Sequence, residues 1–171
     1  SELGIRQAEE AGKFMNQFQI DMVITSGLER THQTGEIVTK NNSGHPEIID
    51  DSRLRDLGID AWEGKITKTE FGKQKRAEYW RRQLLSEDGV ENPHDTQKRV
   101  VEAFNFYLSA YPNKNILLVS HFDSLIFLIQ SLLDLPLHYA LDLPSGKINK
   151  ADIFEVAVDP VSINKIFSFN D

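Results

Sequence analysis

The chain has 171 residues, enough for one globular domain with a sizeable core, which leaves little room for a second. It carries 19 basic and 26 acidic residues, and the formal net charge of −7 disfavours nucleic acid and anionic membrane surfaces as partners. The absence of cysteine excludes disulfides and Cys-type zinc sites and is typical of a cytoplasmic protein. No apolar run reaches the roughly 18 residues of a membrane span, and no signal peptide is recognisable.

The first half of the chain alternates between helical periodicity and a short apolar run. Such a run, bounded by turn residues, is typical of a parallel strand that is covered on both faces. The predicted segments are a helix over 1–18 with Ser1 as its cap, a strand over 21–25, a helix over 28–39, a loop over 40–46, an irregular stretch over 51–66 and a charged helical region over 67–85.

The second half repeats this alternation and ends in a hairpin. The predicted segments are a loop over 86–89, a helix over 95–111, a strand over 115–120, an apolar helix over 124–133, and strands over 152–158 and 161–169 joined by an Asp159-Pro160 turn. We expect an α/β fold, a three-layer sandwich whose mostly parallel central sheet is flanked by helices. No linker or repeat interrupts residues 1–171, which predicts a single domain.

Several common motifs are excluded. The stretch from Gly58 to Lys65 differs from a phosphate-binding P-loop, because five residues separate its glycines and Ile66 follows the lysine. The dinucleotide-binding and nucleophile-elbow glycine motifs are absent. The five histidines never fall at metal-ligand spacings on one helix, so we expect no metal site.

Two strand ends carry residues suited to anion chemistry. Ligands of open α/β sheets bind beyond the carboxyl ends of the strands, where Arg30 and His121 are predicted to lie. Arg30 offers a planar fork for phosphate or carboxylate at the start of a helix, and His121 offers an imidazole that titrates near neutral pH. Taken singly, such an arginine is usually a solvated charge, such a histidine is usually structural, and Asp56 is an ordinary loop carboxylate.

The order of the motifs resembles the histidine phosphatase superfamily, the phosphoglycerate mutase-like family. The resemblance covers nearly the whole chain and rests on Ser1-Glu2-Leu3-Gly4-Ile5-Arg6-Gln7-Ala8, on Thr25-Ser26-Gly27-Leu28-Glu29-Arg30-Thr31-His32-Gln33-Thr34, on Leu54-Arg55-Asp56 with Trp62-Glu63-Gly64, on Glu91, Asp95 and Arg99, and on Val119-Ser120-His121.

The resemblance implies phosphoryl transfer through a phosphohistidine, without a metal or any other cofactor. By position, Arg30 corresponds to a phosphate clamp and His121 to the second, non-nucleophilic histidine. Asp56 corresponds to the general acid toward the leaving group, and later to the base toward water. The backbone N–H of Phe122 is expected to face the phosphate as well.

The chain departs from the family most clearly in what it lacks. The family's nucleophilic histidine lies in an Arg-His-Gly motif at the end of a first strand, and neither precedes the helix that begins at Ser1. Three explanations stay open: these residues exist ahead of Ser1, they have been removed by truncation or processing, or the protein is a natural relative without the nucleophile. We favour the first two, because that strand lies inside the family's sheet and its loss exposes ladder groups.

The remaining departures concern the pocket. Asp56 replaces glutamate, Gly27 replaces proline and Phe122 replaces glycine.

We expect a phosphomonoesterase acting on a small phosphorylated metabolite, rather than a mutase, because the segment from Trp62 to Glu91 is short. The alternatives are a phosphoglycerate mutase and a non-catalytic anion-binding or regulatory domain. A fold without the first strand would need compensation, such as a homodimer or strand-swapped assembly.

Overall fold

The computed structural model describes residues 1–58, 90–137 and 149–169. Within them the elements are α1 Glu2–Met15, β1 Met22–Thr25, α2 Glu29–Thr39, β2 Glu47–Asp50, a 3₁₀ turn Ser52–Leu54, α3 Pro93–Ala110, β3 Ile116–Val119, α4 Phe122–Leu132, β4 Ile153–Val158 and β5 Val161–Phe167. The predicted charged helix over 67–85, the loop over 86–89 and residues 62–64 of the family resemblance lie outside the described residues.

The central sheet is parallel, with strand order β2-β1-β3. Its register places Val23 of β1 level with Ile48 of β2 and Leu117 of β3. Side chains alternate between the two faces of a sheet, so Val23 points to one layer of helices and Ile24 to the other. Both side chains are fully buried, as the predicted parallel strand requires.

Helices α1 and α2 cover the face of Val23. Ala8, Ala11 and Met15 recur at helical spacing along α1 and pack with Val23 in one apolar cluster. The two helices approach closely at Gly12, where a Cβ atom would lie 3.0 Å from the carbonyl oxygen of Val38. Any larger residue there would push α2 away from α1.

Helices α3 and α4 cover the opposite face. Ile24 packs there with Val100 and Ala103 of α3 and with Leu128 of α4. The two helical layers enclose the parallel sheet, and this arrangement confirms the predicted α/β sandwich.

The predicted hairpin is confirmed as an antiparallel pair, β4 with β5. It forms a two-stranded sheet of its own among the described residues. Ile153 and Phe167 pack against the same cluster as Leu117 and Val119 of β3, and the Phe167 ring lies 5.2 Å from that of Phe14. The hairpin therefore adjoins the part of the core that α1 covers.

Strand β2 was not predicted, and two helices begin earlier than expected. Only Ile48 and Ile49 are apolar in β2, so its sequence pattern is too short to recognise, and pairing with β1 defines it. The helix predicted from Asp95 begins at Pro93, and the one predicted from Ser124 begins at Phe122.

In the part of the chain described, no helix is both long and apolar enough to cross a membrane.

Candidate active site

The turn from β1 to α2 brings Arg30 to the carboxyl end of the sheet. Gly27 has a φ of 74°, in the left-handed region that glycine adopts without strain. Proline, with φ fixed near −65°, cannot adopt this conformation. The chain's departure from the family pattern at this position therefore reflects a different turn. Arg30 follows in the first turn of α2, with its side chain exposed.

His121 lies directly after β3 and is the residue from which α4 begins. Its side chain is buried, with only 7% of the residue exposed. The ring's Nδ1 lies 3.1 Å from Nη2 of Arg30, and its Nε2 lies 2.8 Å from the hydroxyl of Ser26. The structure thus brings together the two residues that the sequence placed on separate strand ends, 91 positions apart.

The electrostatic surroundings of His121 favour its neutral form. Burial lowers the pKa of its imidazole, because a charged ring loses hydration. The carboxylate of Asp56 acts in the opposite direction, but Arg30 and Arg99 lower the pKa further, and the net shift is downward from 6.5. A neutral ring is also what the contact with Arg30 requires, since a guanidinium can only donate hydrogen bonds.

Asp56 reaches the same place from the loop that follows β2. Its Oδ1 accepts a hydrogen bond of 3.1 Å from the backbone N–H of Leu57. Its Oδ2 lies 3.9 Å from Nδ1 of His121, and the side chain is 41% exposed. One oxygen is therefore fixed by the backbone, and the other faces the ring and solvent.

Arg99 of α3 holds the loop that carries Asp56, a role that the sequence did not assign to it. Its guanidinium uses all five N–H donors: two bind the carboxylate of Glu91, and three bind backbone carbonyls of Arg53, Arg55 and Asp56. Burial raises the pKa of Glu91, but the hydrogen bonds from Arg99 and from Gly58 outweigh it and hold that pKa below its ordinary value.

Two serines complete the loop's attachment. Ser120 donates to the carbonyl of Leu54 at 2.6 Å, and Ser124 donates to that of Arg55 at 2.7 Å. Consecutive carbonyls from residue 53 to residue 56 are thereby bound by side chains of the β3–α4 turn and of α3. The resemblance included Glu91 and Arg99, but nothing in the sequence indicated that they pair with each other.

Phe122 is the first residue of α4 and follows His121 directly. Its backbone N–H belongs to the first turn of the helix, where N–H groups have no acceptor within the helix and favour anions. Its ring is 38% exposed. An anion bound by Arg30 and His121 would therefore meet an N–H donor and an apolar side chain at this position.

A second polar cluster braces the β1–α2 turn from the β2 side. Asp50 accepts hydrogen bonds from the hydroxyl of Thr25, at 2.5 Å, and from Nδ1 of His32, at 3.0 Å. These bonds lower the pKa of Asp50, and the bond to Asp50 raises that of His32. The His32 ring is thus held by its hydrogen bond to Asp50. Within residues 1–58, 90–137 and 149–169, no second imidazole forms a hydrogen bond or ion pair with Arg30, Asp56 or His121.

The site is suited to holding a tetrahedral anion and exchanging protons with it. Arg30 supplies positive charge, the start of α4 supplies an N–H donor, and His121 supplies a ring nitrogen that can take up a proton, while Asp56 supplies a carboxyl group at the open side. Among the described residues, no group of three or more histidine and acidic side chains is arranged to hold a metal ion.

Curated relatives share the sequence at moderate identity. A probable phosphoglycerate mutase GpmB of Cronobacter sakazakii is 33% identical over 142 residues, covering 80% of this chain and 64% of the relative. The protein of the same name from Proteus mirabilis is 31% identical and covers 78% of this chain. The chain thus spans slightly less than two thirds of the length of the curated relatives it matches.

Solved structures share the fold. Bacillus stearothermophilus YhfR superposes with a TM-score of 0.82 at 24% identity, covering 97% of this chain and 82% of the other. A mycobacterial glucosyl-3-phosphoglycerate phosphatase with inorganic phosphate gives 0.74 at 20% identity, over 98% and 85% of the two chains. A putative alpha-ribazole-5'-P phosphatase from Escherichia coli gives 0.74 at 20% identity, over 96% and 81%.

The sequence profile of the histidine phosphatase superfamily, branch 1, matches residues 1–165. This match spans nearly the whole chain, including the segments that carry Arg30, Asp56 and His121. The chain belongs to the histidine phosphatase superfamily.

Proposed function

We propose that this domain is a phosphomonoesterase that acts on a small phosphorylated metabolite through a phosphohistidine. The observation that carries the proposal is the convergence of Arg30, Asp56 and His121 at one end of the sheet. Arg30 and His121 can bind the negatively charged oxygens of a transferring phosphoryl group. Asp56 can donate the proton that the leaving oxygen requires. No cofactor is needed, because side chains supply these functions.

Arg30 and His121 are proposed to bind the phosphoryl oxygens. When the phosphate dianion of the substrate binds, the Arg30 guanidinium moves from Nδ1 of His121 and donates to two of the phosphoryl oxygens. The incoming negative charge favours a proton on Nδ1, which then donates to a third oxygen. The N–H of Phe122 adds a further donor from the start of α4.

Asp56 is proposed to exchange protons at the leaving-group side. In the first step the nucleophilic imidazole forms a bond to phosphorus while the bond to the leaving oxygen breaks, and the Asp56 carboxyl gives that oxygen its proton. In the second step water attacks phosphorus, its proton passes to the Asp56 carboxylate, and the bond from phosphorus to nitrogen breaks. Inorganic phosphate and the initial carboxyl are the products.

The nucleophile is proposed to lie ahead of Ser1. The 171 residues contain no Arg-His-Gly sequence, and His121 already occupies the position of the second histidine. Because β1 has neighbours on both edges, a nucleophile strand inside the sheet would pair with the outer edge of β2 or of β3. The residues of both outer strands are half-buried or exposed, whereas β1 ends in three buried residues, so either outer strand could take a further neighbour.

Different observations support a phosphatase and a mutase. The curated relatives are named as probable phosphoglycerate mutases, which supports the second activity. The short segment between Trp62 and Glu91 supports the first, because a mutase must enclose its substrate during the transfer. We propose the phosphatase, acting in the cytoplasm.

A turnover experiment with two forms of the protein tests the proposal. The extended protein carries the residues that its gene encodes ahead of Ser1; the 171-residue chain is the matched control. Both are incubated with 4-nitrophenyl phosphate, 3-phosphoglycerate, glucosyl-3-phosphoglycerate and α-ribazole 5′-phosphate, while inorganic phosphate is measured. We expect release by the extended protein only, together with an acid-labile phosphohistidine.

Each other outcome points to a named alternative. Interconversion of 2- and 3-phosphoglycerate without phosphate release would establish the mutase. An extended protein that binds phosphate but turns over none of these substrates and forms no phosphohistidine would establish the non-catalytic anion-binding domain. Phosphate release by the 171-residue chain itself would show that the nucleophile is not upstream.

A further inference from the structure

Both ring nitrogens of His121 have hydrogen-bond partners from the β1–α2 segment. Nδ1 faces Arg30 at 3.1 Å, and Nε2 faces the hydroxyl of Ser26 at 2.8 Å. The Ser26 hydroxyl also lies 2.7 Å from that of Thr31, which donates to the carbonyl of Leu28 at 2.8 Å. Ser26 and Thr31 are 0% and 4% exposed, so water does not compete for these groups.

The hydroxyls of Thr31 and Ser26 form a hydroxyl chain that leads to His121, and its hydrogen bonds can run in only one direction. The carbonyl of Leu28 has no proton, so the Thr31 hydroxyl must donate its own proton to it. Ser26 must then donate its proton to Thr31, because the Thr31 proton is already used. Ser26 therefore has only lone pairs left for His121, and the proton between them must lie on Nε2.

Arg30 imposes the same tautomer from the other side of the ring. Its guanidinium only donates, so Nδ1 must be the nitrogen with the lone pair. When Arg30 turns to an anion, this constraint is lost, and only the hydroxyl chain is left to hold the proton on Nε2. Nδ1, which is also the nitrogen 3.9 Å from Asp56, then remains the one position where the ring can gain a proton.

We propose that Ser26 and Thr31 are positioning residues that keep His121 in its Nε2–H form, so that Nδ1 is presented to the phosphoryl group. The importance of this for catalysis rests on the proposed function; the tautomer itself does not. A ring with its proton on Nδ1 would place the lone pair of Nε2 against a lone pair of the buried Ser26 hydroxyl, 2.8 Å away. The hydroxyl chain thus excludes the tautomer in which Nδ1 could not accept a proton.

Nitrogen-15 NMR of the histidine side chains tests the proposal on the 171-residue chain without substrate. Spectra are recorded above the pKa of His121, whose signals are identified by their loss in His121→Gln. The Arg30→Met background isolates the hydroxyl chain. We expect protonated Nε2 and unprotonated Nδ1 in the parent and in Arg30→Met.

Substitutions at Thr31, added to Arg30→Met, then distinguish the effect of the hydroxyl hydrogen bonds from that of ordinary packing. Adding Thr31→Val frees the Ser26 proton for Nε2, so we expect a mixture of tautomers. Adding Thr31→Ser keeps the hydroxyl and should restore the Nε2–H form. Thr34→Val is the matched control, because Thr34 donates to the carbonyl of Arg30 in the same helix without touching Ser26.

Two results would overturn the proposal: a parent protein with its proton on Nδ1, or an Arg30→Met, Thr31→Val variant that keeps the Nε2–H form entirely. Neither result depends on turnover, so an inactive extended protein would reject the proposed function and leave this inference standing. In an active extended protein, Thr31→Val should lower kcat/KM by about 10- to 100-fold, the range seen when the partner of a metal-bound histidine is removed.

Discussion

The two sides of the candidate site are held in different ways. His121 is oriented through its own ring nitrogens, by Arg30 on one side and by the buried hydroxyl of Ser26 on the other. Asp56 is positioned through its backbone, because Arg99 binds the carbonyls of its loop while the carboxylate is left half-exposed. The histidine side is therefore sensitive to the direction of hydrogen bonds, and the carboxylate side is sensitive to the shape of the loop.

This difference matches the two tasks that the residues are proposed to perform. The phosphoryl group is the same in every substrate, so a buried histidine with a fixed tautomer suits it. Leaving groups vary in size, and a carboxylate on an open loop can serve them while the rest of the loop stays fixed. Changes at the two sides should consequently give different kinds of defect.

The largest expected effect is that of Asp56→Asn on substrates with poor leaving groups. The amide cannot supply the proton, so turnover of alkyl phosphates by the extended protein should fall by about 10²- to 10⁴-fold. Turnover of 4-nitrophenyl phosphate, whose leaving group needs little protonation, should fall by much less. Parallel steady-state assays on the two substrates give the comparison.

Asp50→Asn is the control for that experiment, because Asp50 lies at the same edge of the sheet but is bonded to His32. It should affect both substrates alike and only mildly. Equal slowing of alkyl and nitrophenyl phosphates by Asp56→Asn would contradict the role of Asp56 as general acid.

Arg99→Met should give the largest loss of stability. It removes five hydrogen bonds and leaves the half-buried carboxylate of Glu91 without its main partner, which should lower the free energy of unfolding by about 2–3 kcal/mol. Urea denaturation measures this loss. Lys98→Met, an exposed neighbour in α3, is the control and should change stability by less than about 0.5 kcal/mol.

The loss caused by Arg99→Met should also depend on pH. Because the folded state lowers the pKa of Glu91, its ion pair stabilises the protein above the ordinary value of 4.5. That stabilisation is lost as pH falls through the lowered pKa. The difference between parent and variant should therefore shrink in acid, and a difference that grows there would contradict the ion pair.

Arg30→Met tests the histidine side and should give a somewhat smaller defect. Loss of charged hydrogen bonds to the phosphoryl group should lower kcat/KM by about 10- to 150-fold, corresponding to 1.5–3 kcal/mol. The fall should be the same for alkyl and nitrophenyl phosphates, in contrast to Asp56→Asn. Lys40→Met at the far end of α2 is the control. If Arg30→Met lowered kcat/KM no more than Lys40→Met does, Arg30 would not belong to the site.

The sequence predicted the residues of the pocket better than the contacts that support them. Strand ends and family motifs located Arg30, Asp56 and His121, because each follows a recognisable apolar run or motif. The hydroxyl of Thr31 and the guanidinium of Arg99 could not be assigned, because their roles depend on atoms brought close from distant parts of the chain. Strand β2 was missed for the same reason, since its pairing with β1 defines it.

A titration of the 171-residue chain with sulfate tests the central claim most directly. Sulfate stays a dianion across the neutral range, so any change in its affinity with pH reports on the protein. Because the pKa of the free His121 ring is lowered and a bound anion raises it, affinity should increase by up to about tenfold for each unit that pH falls between the two values. Nitrogen-15 spectra should show Nδ1 of His121 gaining a proton in the complex while Nε2 stays protonated. Sulfate bound with Nδ1 still unprotonated, or an affinity that pH does not change, would contradict the account.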